Sequence, residues 1–308
     1  MLSGIIPIVF VPFDSSGQID PAGLRRIVQF ELAGGADGLG INGFASEAYK
    51  LSDAERQRTA EIVTYELGGA IPLVIGLAAG STEAAIAQAR DLEALGPAAY
   101  MVLPPSTMNN GPQALIDHYV HVAQATEVPL MVQQSPHIPQ YAHCLLSAEQ
   151  LAEMVHRSMG IRYFKIEGGG ASERMQALAP LLPPGVGLFG GVGGLTFLDE
   201  LEAGAAGVIP GVGFNEVFQQ AWAAWKEGQR ARVRERLTHY QPLVSAVSSK
   251  GHEFSLHARK RLMQRLGLIE SAYVRSPSIQ PSEAEILEVF AVADQYQLRI
   301  AQPEIKPR

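Results

Sequence analysis

The sequence predicts an α/β fold, a (β/α)8 TIM barrel followed by a C-terminal helical extension. Eight short apolar runs alternate with helix-period segments over residues 1–228. Each connection is long enough for a crossover, so the strands are expected to be parallel, and eight such units close into a barrel. A doubly wound sheet would need a glycine-rich phosphate turn after its first strand, where this chain has V-P-F-D at residues 11–14. The barrel is therefore the predicted fold.

The predicted strands are short, apolar and rich in β-branched residues. They cover residues 4–13, 37–41, 72–77, 98–103, 129–133, 161–166, 186–189 and 207–210. The helices between them begin at recognisable caps, such as Asp20 before Pro21, or Ser52 with Glu55 in a capping-box pattern. They cover residues 21–33, 53–67, 82–95, 112–125, 148–159, 172–182, 195–203 and 216–227.

Residues 229–308 form the predicted C-terminal extension. Helix-period stretches cover about residues 231–247, 254–266 and 282–296. We interpret this region as a helical appendage of the barrel rather than as a domain able to fold alone. The predicted organisation is therefore a barrel over residues 1–228 and a dependent extension over residues 229–308.

Composition and charge exclude several classes of protein. The formal net charge of −7 and the pI near 5.6 argue against a nucleic-acid partner, which would favour a basic face. No apolar run approaches the roughly 20 residues of a membrane span, and the N-terminus lacks the pattern of a signal peptide. Cys144 is the only cysteine, which excludes a disulfide framework and a multi-cysteine metal site. We therefore expect a cytoplasmic protein that uses neither nucleic acid nor membrane as a partner.

Lys165 is the most informative residue of the chain, because it lies in the apolar strand predicted over residues 161–166. A buried ammonium costs several kcal/mol unless it is paired, lies at the strand end or loses its proton. A deprotonated lysine is a nucleophile that forms Schiff bases with carbonyl compounds. Glu167 follows two residues later and therefore points to the same face. The pair predicts imine chemistry with a carboxylate beside it, although the same residues also permit a simple ion pair.

The other candidate residues follow the strands at the carboxyl end of the barrel, where such folds build their active sites. The hydroxyl and amides of the turn after the second strand suit a substrate carboxylate, and the glycines after the seventh strand leave space for a ligand or turn the chain. The substrate-binding candidates at these ends are Ala45, Ser46, Glu47, Gln133, Gly190 and Ile209. Glu47 is equally compatible with a purely structural acid, and His137 favours a structural or solvent-facing role. No metal site is predicted, since His118 and His121 have no acidic partner at metal spacing.

Four segments carry a resemblance to a known family. They are P-I-V-F-V-P-F-D at residues 7–14, G-F-A-S-E-A-Y-K-L-S-D-A-E-R at 43–56, P-L-M-V-Q-Q-S-P at 129–136, and Y-F-K-I-E at 163–167. Over essentially its whole length the chain resembles the dihydrodipicolinate synthase/N-acetylneuraminate lyase superfamily of Schiff-base barrels. The resemblance implies that Lys165 forms the imine, that no cofactor is needed because the protonated imine is the electron sink, and that the chain assembles as a homotetramer or dimer.

The chain also departs from the usual pattern of that superfamily. Both threonines of the G-T-T-G-E turn are missing from residues 43–47, and Gln133 replaces the proton-relay tyrosine of the strand-five motif. A glutamine amide forms hydrogen bonds but acts as neither acid nor base. Ile138 aligns with the arginine that holds the aldehyde substrate in dihydrodipicolinate synthases, and no tyrosine stands near Ser106 or Thr107 to serve a neighbouring subunit. Dihydrodipicolinate synthesis is therefore not expected.

The motifs F-x-S-E, M-V-Q-x-x-P and Y-F-K-I-E instead resemble the sugar-acid branch typified by 2-keto-3-deoxy-L-arabonate dehydratase. That resemblance implies a class I lyase that dehydrates a 2-keto-3-deoxy sugar acid or related 2-ketoacid, with Glu167 as the general acid and base. Residues 190–194 offer no second acidic group from strand seven. Two alternatives stay open: a pyruvate-dependent aldolase using the same imine, and a barrel that binds a ketoacid without turnover.

Overall fold

The computed structural model describes residues 1–106 and 111–301. Its eight parallel strands form one sheet with the hydrogen-bonded order β1-β8-β7-β6-β5-β4-β3-β2. The strands are β1 (Gly4–Ile5), β2 (Leu39–Ile41), β3 (Leu73–Leu77), β4 (Ala99–Val102), β5 (Leu130–Gln134), β6 (Ile161–Ile166), β7 (Gly187–Gly190) and β8 (Gly207–Val208). A parallel bridge between Ile8 and Gly40 joins the segment after β1 to β2. The sheet thus curls round on itself, which confirms the predicted (β/α)8 barrel.

Helices follow the strands and continue into the extension. Eight belong to the barrel: α1 (Pro21–Ala33), α2 (Asp53–Leu67), α3 (Thr82–Glu93), α4 (Gly111–Gln124), α5 (Ala148–Arg157), α6 (Ala171–Leu178), α7 (Phe197–Glu202) and α8 (Asn215–Lys226). The extension contributes α9 (Arg230–Ser248), α10 (His252–Arg265) and α11 (Glu283–Ala293). Asp20 caps α1 and Ser52 forms a capping box with Glu55 at α2, as their side chains predict. No helix in the described ranges is both long and apolar enough to cross a bilayer.

The first and last strands are much shorter than predicted. The prediction placed strand one over residues 4–13, but the regular ladder stops at Ile5. Pro7 and Pro12 lack the N–H group that a continuous ladder requires, and the chain continues only through isolated bridges at Ile8 and Phe13. Strand eight ends at Val208 rather than at Pro210. Proline thus limits the regular pairing without preventing closure.

The core has an inner and an outer layer, which fix the direction of each strand residue. Inside the barrel lie the side chains of one buried cluster, among them Ile8, Met101, Met131, Tyr163 and Phe189. Between the strands and the helices lies a second cluster, which includes Phe164 and Ile166 and continues into α9 and α10. Along β6 the side chains therefore alternate between interior and exterior, as a period of two requires. Lys165 shares the interior face with Tyr163.

A buried ion pair joins the extension to the barrel. Glu47, in the turn after β2, and Lys260, on α10, are both fully buried, and Lys260 Nζ lies 2.5 Å from Glu47 Oε1. Lys50 Nζ lies 3.4 Å from the other oxygen of the same carboxylate. The backbone N–H of Arg275 also donates to Glu47 Oε2, at 3.2 Å. These contacts tie α10 and the segment after it to the rim of the barrel, while the domain boundary at residue 228 stays a prediction.

We expect Lys260→Met to lower the free energy of unfolding by about 3 kcal/mol, because it leaves Glu47 buried with only Lys50 to balance its charge. Urea denaturation followed by circular dichroism measures the loss. The matched control is Lys250→Met, which breaks the exposed pair with Glu285 in the same extension and should cost less than about 1 kcal/mol. Equal losses in the two variants would show that the buried pair does not anchor the extension.

Candidate active site

Lys165 and Glu167 meet at the carboxyl end of β6, inside the barrel. The side chains are almost fully buried, with 5% of each residue exposed, and Lys165 Nζ lies 3.3 Å from Glu167 Oε1. The inward position follows from the alternation of β6, because Tyr163 below them also faces the interior. The structure therefore brings the two predicted catalytic residues together in one buried pair.

Glu167 is fixed by three donors from two segments, the end of β5 and the turn after β7. Ser135 Oγ donates to Glu167 Oε2 at 2.5 Å, and Gln133 Nε2 donates to the same oxygen at 2.8 Å. The backbone N–H of Val192 donates to Oε1 at 3.1 Å. Gln133 and Lys165 are register partners in the parallel β5–β6 ladder, so the polar groups follow from the register. The carboxylate is thus held in place beside the lysine rather than free to rotate.

These neighbours determine the charge of Glu167. Burial by itself raises the pKa of the carboxyl, but the charges of Lys165 and His137 and the hydrogen bonds from Ser135 and Val192 outweigh it and lower the pKa to about 2. Glu167 is therefore ionised at neutral pH. An ionised carboxylate beside an amine is ready to accept a proton from a carbon next to an imine.

The pair opens into a cavity of about 130 Å³. Of the predicted substrate-binding residues, Ala45, Gln133 and Ile209 line its wall together with Lys165 and Glu167. Further walls come from the extension, which contributes Ser248, His252, Ser255 and Arg259. Direct contact of Ala45, Gln133 and Ile209 with a substrate stays a prediction.

Ser46 and Glu47 lie beside the cavity but are occupied by other partners. Ser46 is fully buried and its hydroxyl donates to the backbone oxygen of Val9 at 2.6 Å. Glu47 holds Lys260 and Lys50, as described above. Glu47 therefore has the structural role that the sequence also allowed. Neither Ser46 nor Glu47 has a free donor directed at a ligand carboxylate.

Gly190 and Gly191 leave space for two carboxylates on opposite sides of the chain. A Cβ at Gly191 would lie 2.1 Å from Glu167 Oε1, and a Cβ at Gly190 would lie 1.6 Å from Glu200 Oε2. Residues 190–194 themselves carry no acidic side chain, as predicted, but a second acid comes from the helix that follows them. Glu200 reaches that end from α7, nine residues beyond Gly191, and sequence spacing alone gave no sign of it.

Glu200 is a buried acid with a strongly shifted pKa. It is fully buried and accepts a hydrogen bond from Thr196 Oγ1 at 2.9 Å. Burial, with a smaller contribution from the negative charge of Glu167, raises the pKa of Glu200 to about 7. A carboxyl that holds its proton near neutral pH lies just behind the chain that binds Glu167.

We expect Glu200→Gln to remove a pH dependence of stability. The pKa of Glu200 is about 7 in the folded protein, above the reference value of 4.5. The free energy of unfolding therefore decreases as the pH rises from about 4.5 to about 7 and above. Urea denaturation near pH 8 should show the variant more stable than the wild type, by on the order of 3 kcal/mol, with the difference vanishing below pH 4.5. Glu202→Gln, on the exposed side of the same helix, is the control and should leave the profile unchanged. An unchanged profile in Glu200→Gln would contradict the buried titration.

Two histidines that the sequence did not assign to the site line the cavity. His137 lies at the wall and is exposed to solvent, as predicted, while partial burial of its ring lowers its pKa. His252 enters the wall from α10, packs against Phe44 in a tilted arrangement at a centroid distance of 4.3 Å, and has its pKa lowered to about 4 by burial. The alternation of β5 could have predicted Ser135, which follows the strand two residues after Gln133, whereas His137 lies in the turn beyond it. No local pattern predicts His252.

Where the chain departs from the superfamily pattern, the residues present make other contacts. Gln133 stands where the relay tyrosine is expected and binds Glu167 instead. Ile138 is buried in a small cluster with Leu103 and Tyr141. Thr107, near which the resemblance places a tyrosine that serves a neighbouring subunit, lies outside the described residues. No group of three metal-ligating side chains occurs within residues 1–106 and 111–301.

The chain belongs to a known family and is similar to named members of it. The model of the dihydrodipicolinate synthetase family matches residues 1–296. A protein named L-2-keto-3-deoxyarabonate dehydratase, from Azospirillum brasilense, is 30% identical over 305 residues, which cover 97% of this chain and 96% of that protein. A 4-hydroxy-tetrahydrodipicolinate synthase from Methanopyrus kandleri is 30% identical over 271 residues, covering 85% of this chain and 87% of its own length.

Solved structures show the same fold. The dihydrodipicolinate synthase from Rhodopseudomonas palustris superposes with a TM-score of 0.85 at 22% identity, covering 96% of this chain and 98% of that one. The Aquifex aeolicus enzyme gives a TM-score of 0.87 at 20% identity, covering 96% and 99% of the two chains. At such identities the likeness establishes the architecture alone.

Proposed function

Because this chain belongs to the dihydrodipicolinate synthetase family and is a Schiff-base lyase, we propose that it dehydrates a 2-keto-3-deoxy sugar acid through an imine at Lys165. The observation that carries the proposal is the buried pair of Lys165 and Glu167 at the end of β6, open to a small cavity. Support also comes from the dehydratase of A. brasilense, which matches over nearly the whole of both chains.

The proposed reaction begins when Lys165 Nζ attacks the C2 carbonyl carbon, and the carbonyl oxygen leaves as water. The protonated imine then withdraws electrons from C3. Glu167 accepts a proton from C3, and the C–H electron pair forms the C2–C3 double bond of an enamine. The enamine expels the C4 hydroxyl, to which Glu167 returns the proton, so that a second water leaves. Hydrolysis of the remaining imine releases the product and regenerates Lys165.

Dehydration is favoured over condensation because Gln133 replaces the proton-relay tyrosine of the superfamily. Gln133 occupies the position of the relay tyrosine and donates to Glu167, so the carboxylate is the ionisable group nearest the amine. An amide takes no part in proton transfer. One carboxylate that accepts and then returns a proton is sufficient for an elimination of water. The absence of a cofactor, a cytoplasmic location and assembly as a homotetramer or dimer are further parts of this proposal, carried by the resemblance.

Borohydride trapping with pyruvate tests the imine. Intact mass should increase by one reduced pyruvate, and peptide mapping should place the adduct on Lys165. Incubation with 2-keto-3-deoxy sugar acids then separates the reactions, because dehydration keeps all carbons in one product, whereas retro-aldol cleavage releases pyruvate. No adduct with pyruvate or with longer 2-ketoacids would overturn the proposed mechanism, and pyruvate release would replace dehydratase by aldolase.

A further inference from the structure

Arg259 is a buried cation in the cavity wall that the proposed chemistry does not use. It comes from α10, is only 4% exposed, and lines the same cavity as Lys165 and Glu167. Its Nη1 donates to the backbone oxygen of Val212, its Nε to Ser255 Oγ at 3.2 Å, and its Nη2 to Ser248 Oγ at 3.4 Å. These partners are all neutral, and the last bond is long.

The charge of Arg259 has no close counter-ion. Among the described residues Arg259 forms no ion pair, and the charge that acts on it most is that of Glu31. Glu31 directs its own oxygens elsewhere, accepting from the backbone N–H of Gly213 at 2.9 Å and from Asn215 Nδ2 at 2.7 Å. Burial lowers the pKa of Arg259 to about 10, so the guanidinium is charged at neutral pH. A buried charge without a partner is costly, which points to a partner that arrives with the ligand.

Two glycines keep the guanidinium uncovered on the cavity side. A Cβ at Gly211 would lie 2.9 Å from Arg259 Nε, and a Cβ at Gly193 would lie 3.5 Å from Arg259 Nη2 and 2.3 Å from Ser248 Oγ. Both glycines line the cavity. Any side chain at either position would occupy the space through which a ligand reaches Arg259.

The other cations around the cavity are already committed. Lys50 and Lys260 hold Glu47, and Arg174 donates to the backbone oxygens of Glu167 and Gly169. The Ser46 hydroxyl, expected to seat a substrate carboxylate, donates to Val9. Lys165 becomes part of the imine. Among the described cations around the cavity, Arg259 is thus the one with N–H donors left for an anion.

We propose that Arg259, flanked by Ser248 and Ser255, binds a carboxylate of the substrate and so determines which acids the cavity accepts. The inference rests on the proposed function, because it takes the ligand to be a 2-ketoacid. A guanidinium offers a carboxylate two parallel N–H donors, an arrangement that lysine cannot reproduce. The carboxylate is either the one next to the ketone or a second one at the far end of the molecule, and the two are separated by experiment.

The test measures half-saturation of borohydride trapping by pyruvate, which has one carboxylate, and by 2-oxoglutarate, which has two. Arg259→Gln should raise the half-saturating concentration about 10- to 100-fold, with Arg259→Lys intermediate and full labelling of Lys165 still reached at saturation. An increase with both acids assigns Arg259 to the carboxylate next to the ketone. An increase with 2-oxoglutarate alone assigns it to the distal one. An unchanged value with both acids overturns the proposal.

Two further variants separate ligand binding from a purely structural role. Gly211→Ala keeps Arg259 but covers it, and should raise the half-saturating concentration in the same direction. Arg275→Gln removes a half-buried arginine that clamps Glu55 outside the cavity, and should lower stability while leaving half-saturation unchanged. If Gly211→Ala and Arg275→Gln behave alike, Arg259 is only a structural clamp.

Calorimetry in a Lys165→Ala background measures carboxylate binding independently of whether the imine forms. There no imine forms, and binding of pyruvate and 2-oxoglutarate reports the anion site alone. Loss of binding on adding Arg259→Gln supports the inference even if trapping fails in the wild type. Binding that is equal with and without Arg259 overturns it, whatever the outcome of trapping.

Discussion

Lys165→Ala is expected to abolish imine formation and to lower turnover of 2-keto-3-deoxy acids by roughly 10⁴-fold or more, since a covalent route disappears with its nucleophile. Lys165 stands alone among the groups around Glu167 in carrying an amine. The loss should fall on kcat, because the amine acts on the reacting carbon. Steady-state assay with product analysis measures turnover, and intact mass after borohydride treatment measures the adduct.

The control for this experiment is Lys226→Ala, an exposed lysine at the end of α8 that lies over the ring of Trp222. It removes the same functional group from the surface and should keep both turnover and labelling. Thermal denaturation establishes that the two variants fold. Survival of turnover in Lys165→Ala with every 2-keto-3-deoxy acid tried would contradict the imine mechanism as written.

Glu167→Gln should leave imine formation largely intact while lowering kcat by about 10²- to 10⁴-fold, the range of a general acid–base group. The amide keeps the shape of the carboxylate but accepts no proton. Exchange of the pyruvate methyl protons in D2O, followed by NMR, isolates the step, because exchange needs the imine and a base at C3. Exchange should slow in the same range as turnover. With the wild-type pKa at about 2, lowering the pH from 7 to 5 should not protonate this group.

Ser135→Ala is the companion variant, since it removes a hydrogen bond to Glu167 Oε2 and keeps the carboxylate. A positioning role predicts a smaller loss than in Glu167→Gln, of about 10-fold, with the same imine yield. If Glu167→Gln instead abolishes labelling by borohydride, Glu167 serves only to hold Lys165. Equal losses in the two variants would place the critical proton outside Glu167.

The barrel, Lys165 and Glu167 were predictable because their signals are local. A strand of six residues with one lysine, and a carboxylate two positions later, carry the alternation in the sequence itself. Glu47 shows the limit of that reasoning: its turn was located, but its partner Lys260 lies 213 residues away and only folding brings them together. Glu200 and Arg259 were not predicted for the same reason. The glycines next to them make room for a distant side chain, but in the sequence such a glycine cannot be distinguished from one that turns the chain.

The shared cavity has a consequence for how such a chain can diversify. The groups placed next to the reacting carbon come from β6, whereas Arg259 comes from α10, nearly a hundred residues later. Substitutions on α10 can therefore change which substrate acid is preferred without disturbing Lys165 and Glu167. Grafting the segment after α8 from one relative onto the barrel of another should transfer preference and conserve chemistry. The type of reaction and the substrate specificity are then encoded in separate parts of the chain and can evolve independently.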